Sequence, residues 1–221
     1  MLHFVDLSHP LDHGQLGFPG DPTISIVQAH TVAKKGYNLS ALTLSSHQGT
    51  HLDAPRHFFE NGRTIDQMDL HRFCGRAHLV DLAPGGALPP RTPLTVEHFL
   101  PHVDAFTEGA RVIYRTGWSE AFGTAEFFTN FPTLTVDAAE WIARRQIALL
   151  GMDTPTPSTE WLQCHHILLG PGAEIVVVES LNRLDQLPQE FLFIGFPLNL
   201  KGGDGSPIRA VAVLGADTLG A

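Results

Sequence analysis

Ser46-His47-Gln48-Gly49-Thr50-His51-Leu52-Asp53-Ala54-Pro55-Arg56-His57 sets three imidazoles and one carboxylate within eleven residues, from His47 to His57. The residues before it, Asn38 to Ser46, alternate as Leu39, Ala41-Leu42 and Leu44, which is the period of a strand. His51 and Asp53 stand two apart, so an extended backbone projects both to one face. Gly49 permits a bend that brings the His47 imidazole round to the same point. Pro55 forbids helix continuation, so this is not the helical H-E-x-x-H zinc motif, whose second-position Glu is also missing.

Imidazole nitrogen and carboxylate oxygen serve zinc and manganese, and three protein ligands with one open position mark a catalytic centre. The same residues also suit a solvated, hydrogen-bonding loop. The tightness of the cluster, directly after a strand, favours a metal. Further ligands are available later: Cys164-His165-His166, and Glu179, which closes the apolar run Ile175 to Val178. His165 and His166 cannot both reach one site from a regular element.

Outward from this segment, strands are expected at Leu2 to Leu7, residues 23–32, Ala77 to Leu82, Arg111 to Thr116, Ile147 to Met152 and Ile175 to Val178. Two more, Phe191 to Leu198 and Ile208 to Leu214, are joined by Gly202-Gly203-Asp204-Gly205-Ser206-Pro207, read as a tight turn. Helices are expected from Thr95 to Leu100, capped by Thr95, and from Val136 to Arg145, whose basic end suits the macrodipole. Strands outnumber helices and the helices lie between them, so the class is α/β or α+β with a mixed sheet. With no repeat, low-complexity tract or linker, a single domain over residues 1–221 is expected.

The composition narrows the chemistry. Fourteen Lys and Arg against 23 Asp and Glu give a formal charge of −9, and thirteen protonated histidines would carry the sum to +4. The acidic balance argues against nucleic acid or an anionic membrane as partner. No apolar run is long enough to cross a bilayer, and the first residues lack the features of a signal peptide. Two cysteines make no disulfide framework, so a soluble, cytoplasmic protein is expected. No G-x-S-x-G and no phosphate-cradling glycine loop is present.

The segment His47 to His57 resembles the H-x-G-T-H-x-D-x-P-x-H motif of the cyclase-like metal-dependent hydrolases, which include bacterial kynurenine formamidases and isatin hydrolases. Weaker likenesses follow in the same order along the chain. They are Asp6-Leu7-Ser8-His9-Pro10-Leu11, Phe18-Pro19-Gly20-Asp21-Pro22, Gly151-Met152-Asp153-Thr154-Pro155, His165-His166-Ile167-Leu168-Leu169, Glu179-Ser180-Leu181 and Gly205-Ser206-Pro207-Ile208-Arg209-Ala210. The resemblance implies a compact α/β domain of the swivelling β/β/α type, a homodimer or homotetramer, and one or two ions per chain, Zn2+ or alternatively Mn2+. By motif position, His47, His51 and Asp53 would hold a first ion. Asp53, His165 and Glu179 would hold a second, with Asp53 bridging and His165 fitting the frame better than His166. His57 would be the acid–base residue.

The expected activity is hydrolysis of a small amide, either an aryl formamide such as N-formylkynurenine, as in tryptophan catabolism, or a cyclic amide. Phe18, Trp118 and Trp161 are candidate walls for an aromatic substrate. An isatin-type lactam or lactone hydrolase, a cyclase or dehydratase at the same metal, and a non-catalytic metal-binding protein are the alternatives.

Overall fold

The computed structural model describes residues 1–215. Of the expected 1–221 domain, residues 216–221 lie outside those described. In chain order the first elements are β1 (His3–Asp6), β2 (Ser25–His30), α1 (Val32–Lys35), β3 (Leu39–Thr43), β4 (His51–Asp53), β5 (Cys74–Asp81) and β6 (Pro93–Leu94). Next come α2 (Val96–Phe99), β7 (Arg111–Arg115), β8 (Thr133–Leu134), α3 (Val136–Ala143), β9 (Leu149–Met152), α4 (Trp161–Leu169) and β10 (Val176–Glu179). β11 (Glu190–Ile194), β12 (Gly205–Pro207) and β13 (Val211–Leu214) complete the described residues.

Nine strands form one sheet in the order β1-β13-β11-β5-β7-β9-β10-β4-β12. β5, β7, β9 and β10 run parallel to their neighbours within that group, and the flanking pairings are antiparallel. The sheet is therefore mixed and the class α/β. Side chains alternate between two cores. Ile113, Leu149, Val176 and Val178 join Leu7, Leu52, Phe73 and Phe193 on one face. Val112, Tyr114, Leu150 and Val177 meet Ala138, Ala139 and Ile142 of α3 and Cys164, Leu168 and Leu169 of α4 on the other. This period of two explains why the central strands are continuously apolar: both faces are buried.

Two local differences from the sequence expectation bear on the site. Residues 161–169 form a helix that carries no start signal, because Glu160 at its N-cap makes no side-chain capping bond. The helix instead holds by burying one stripe, Cys164, His165, Leu168 and Leu169, against the sheet. In the segment read as a tight turn, Gly205 to Pro207 form the edge strand β12, paired with β4 through Gly205↔Asp53 and Pro207↔His51.

Candidate metal centre and its cavity

β4 is three residues long, fully buried, and flanked on both sides by antiparallel partners. Its register sets His51 opposite Glu179, the last residue of β10. Gly49 takes φ +62°, a left-handed turn that glycine enters without steric cost, and the chain bends there as His47 requires. α4 delivers His165 from its buried stripe, whereas His166 on the exposed side packs against Phe58 and Phe59.

Asp53 is the hub. Its Oδ1 lies 2.8 Å from His47 Nδ1 and 3.5 Å from His51 Nε2, and its Oδ2 lies 3.4 Å from His165 Nε2. Glu179 reaches the same space, with Oε2 3.3 Å from His51 Nε2 and Oε1 3.2 Å from His165 Nε2. The five residues named as ligands by motif position therefore gather around Asp53, with His47 on its one side and Glu179 bridging His51 and His165 on the other, and His51 faces both carboxylates rather than Asp53 alone. His57 stacks on His47 with ring centroids 3.7 Å apart and opens onto the adjoining cavity.

Hydrogen bonds fix the tautomers. His51 Nδ1–H donates to the Gly49 carbonyl at 2.8 Å, and His165 Nδ1–H donates to the Trp161 carbonyl at 2.7 Å. In its neutral form each ring would then aim the Nε2 lone pair at two carboxylates, which is repulsive unless Nε2 carries a proton or a cation lies between them. Among the described residues Asp53 Oδ2 receives no hydrogen bond although Asp53 is only 1 % exposed. A buried carboxylate oxygen left unpaired is costly, and a divalent ion would satisfy it.

The electrostatics agree. Burial would lower the His47 and His165 pKa values, but the carboxylates of Asp53, with Asp204 at His47 and Glu179 at His165, more than offset it and hold both at about 10. For Asp53, burial pushes upward, yet His47, His165 and His51 outweigh it and keep the carboxyl well below its ordinary range. The cluster calls for positive charge at its centre, supplied by protons or by a metal. The donor set of imidazole nitrogens and carboxylate oxygens fits Zn2+ or Mn2+.

A cavity of about 450 Å³ opens beside the cluster, walled by Phe18, Phe58, Phe122, Phe128 and Trp161. Of the three aromatic residues expected as walls, Phe18 and Trp161 line this cavity. Trp118 does not: it is buried against Phe127 and Phe131, with its indole N–H donating to the Phe127 carbonyl at 3.0 Å. Phe58, Phe122 and Phe128 are walls that no local pattern singles out. His9, from the Ser8-His9-Pro10 segment, backs the cavity by stacking on Phe122 at 3.7 Å. Cys164 points into the helix-side core and is no sulfur ligand of the cluster.

Asp204 is the residue that the turn reading concealed. Its Oδ2 lies 3.1 Å from His47 Nε2 and 3.7 Å from His57 Nδ1.

The family model "Cyclase" matches residues 5–159. A kynurenine formamidase of Bacillus cereus is 30% identical over 213 residues, covering 94% of this chain and 96% of the relative. The kynurenine formamidase of Bacillus cytotoxicus is 28% identical over 215 residues, with the same coverage of 94% and 96%. Isatin hydrolase A from Labrenzia aggregata, solved with benzyl benzoate, superposes with a TM-score of 0.84 at 27% identity, covering 96% of this chain and 93% of that one. A predicted metal-dependent hydrolase from Bacillus stearothermophilus superposes with a TM-score of 0.78 at 25% identity, covering 96% and 98%.

Proposed function

The chain belongs to the cyclase family, and from that premise we propose that it hydrolyses a small, uncharged aromatic amide, an aryl formamide or a lactam, in a metal-dependent reaction. The observation that carries this reading is the Asp53-centred cluster opening onto a cavity with aromatic walls. His47, His51, Asp53, His165 and Glu179 would hold one or two ions, Zn2+ or Mn2+. Such an ion supplies Lewis acidity toward a carbonyl and acidifies water toward neutral pH. His57, on the cavity wall, serves as the acid–base residue. It takes a proton from the attacking water and returns it to the amide nitrogen, which departs only once protonated.

The cavity lining favours a neutral substrate. Among the described residues no Lys or Arg lines it, and the one charged side chain outside the cluster is Asp21. N-formylkynurenine is a zwitterion: its ammonium could face Asp21, but its carboxylate would find no Lys or Arg among the lining residues, whereas a formanilide or an isatin-type lactam needs only the aromatic walls and the cluster.

A substrate panel tests this. Formanilide and isatin are expected to show kcat/KM above that of N-formylkynurenine, with one oxygen of the product drawn from labelled water. A preference for N-formylkynurenine would overturn the neutral-substrate reading. Product formed without water oxygen would shift the assignment to a cyclase or dehydratase. Metal bound in a closed shell without turnover would make the chain a metal-binding protein.

We also propose assembly as a homodimer or homotetramer, supported by the apolar side chains that the β2–β3 hairpin leaves exposed, among them Val27, Leu39 and Leu42. A cytoplasmic setting is our reading as well, supported by the free thiols Cys74 and Cys164. Among the described residues no helix is long and apolar enough to cross a membrane.

A further inference from the structure

We propose that Asp204 is a positioning residue, holding the ligand His47 and the acid–base residue His57 in one fixed relation; the second half of this assignment rests on the proposed function.

His47 has a carboxylate at each ring nitrogen, Asp53 Oδ1 at Nδ1 and Asp204 Oδ2 at Nε2. A neutral imidazole donates only one hydrogen bond. With Nε2–H donated to Asp204, the Nδ1 lone pair is left facing the cluster, as a metal ligand requires. Among the described residues Asp204 is the acceptor at Nε2 of His47. The second imidazole, His57, stacks on the first and turns Nδ1 toward the same Oδ2 at 3.7 Å, an ion-pair distance rather than a hydrogen bond. This leaves Nε2 of His57 as the nitrogen for the substrate. One carboxylate oxygen thus addresses a ligand and a proton carrier at once.

The backbone is built to hold it there. The Asp204 carbonyl accepts from Ala54 N–H at 2.9 Å and the Gly203 carbonyl from Ile65 N–H at 2.8 Å, which ties the segment to the motif and to the stretch that follows it. At Gly205 a Cβ would lie 2.6 Å from His47 Cε1 and 2.7 Å from the Leu52 carbonyl oxygen. Only glycine lets β12 approach His47 this closely, and the approach brings Asp204 within reach.

Asp204→Ala and Asp204→Asn, purified as full chains, separate this role from that of a turn. Two quantities are read: the affinity of the metal-stripped protein for Zn2+, and kcat and KM on formanilide. Asp204→Ala is expected to bind Zn2+ about 10- to 100-fold more weakly, the usual cost of losing an outer-shell partner. Its kcat should fall at saturating Zn2+ while KM stays within about twofold, since Asp204 does not line the cavity. Asp204→Asn keeps an acceptor for His47 but no charge for His57, so it should recover most of the Zn2+ affinity and little of the kcat. If Asp204 only shapes a turn, Asn replaces it fully, and wild-type values in both readouts overturn the proposal. Should the wild type turn over no amide, the functional reading fails. The Zn2+ affinities then still decide the His47 half: an unchanged Asp204→Ala affinity overturns it.

Discussion

Asp53→Asn is expected to abolish tight metal binding and to lower amide turnover by at least about 10³-fold. The substitution is nearly isosteric, so it removes charge and not volume. Among the described residues Asp53 alone faces His47, His51 and His165 together, through both of its oxygens. With Asn there, an amide N–H would have to point at an imidazole lone pair or at the centre of the cluster, and only Glu179 would remain as an anion facing His51 and His165. Several kcal/mol of charge stabilisation at a reacting carbonyl is lost, and each ~1.4 kcal/mol is a decade in rate. Elemental analysis beside turnover on formanilide checks it. A variant that keeps a stoichiometric ion and wild-type turnover would remove Asp53 from the centre.

His57→Ala should behave in the opposite way on the metal: the ion stays, and turnover drops by about 10²–10⁴-fold, the range for a lost general acid–base. His57 meets the cluster by stacking on His47, by lying edge-on to the His165 ring at 5.9 Å and by its approach to Asp204, and among the described residues it makes no ion pair with Glu179. The loss should be larger for an amide with a poor leaving group than for an ester of similar shape, because the amine must be protonated and the alkoxide need not be. Equal losses on both would assign His57 to binding. A variant depleted of metal would make His57 a ligand, for which its position near His47 and Asp53 also qualifies.

The contrast between these residues shows which parts of the site were legible in the chain. His47, His51 and Asp53 could be placed from spacing because their convergence is local: a two-residue strand offset and one glycine turn. The central strands were legible for the same reason, since Ile147 to Met152 and Ile175 to Val178 are apolar runs too short for anything but buried strands. His165 needed the family frame, because α4 has no capping signal and is held by tertiary burial alone. Asp204 was hidden because its place depends on β12 pairing with β4, a long-range register that no window of sequence contains. Trp118 failed as a cavity wall for a related reason. An aromatic ring looks the same in sequence whether its partner is a ligand or, as here, the carbonyl of Phe127.

Hydrolysis is expected to require a divalent ion held by the Asp53 cluster. Metal content and turnover are measured on one sample, as purified, after chelation, and after return of Zn2+ or Mn2+. The expected result is one or two tightly held ions per chain, loss of formanilide hydrolysis when they are stripped, and recovery when either ion is restored. A metal-free protein that retains full activity would contradict it.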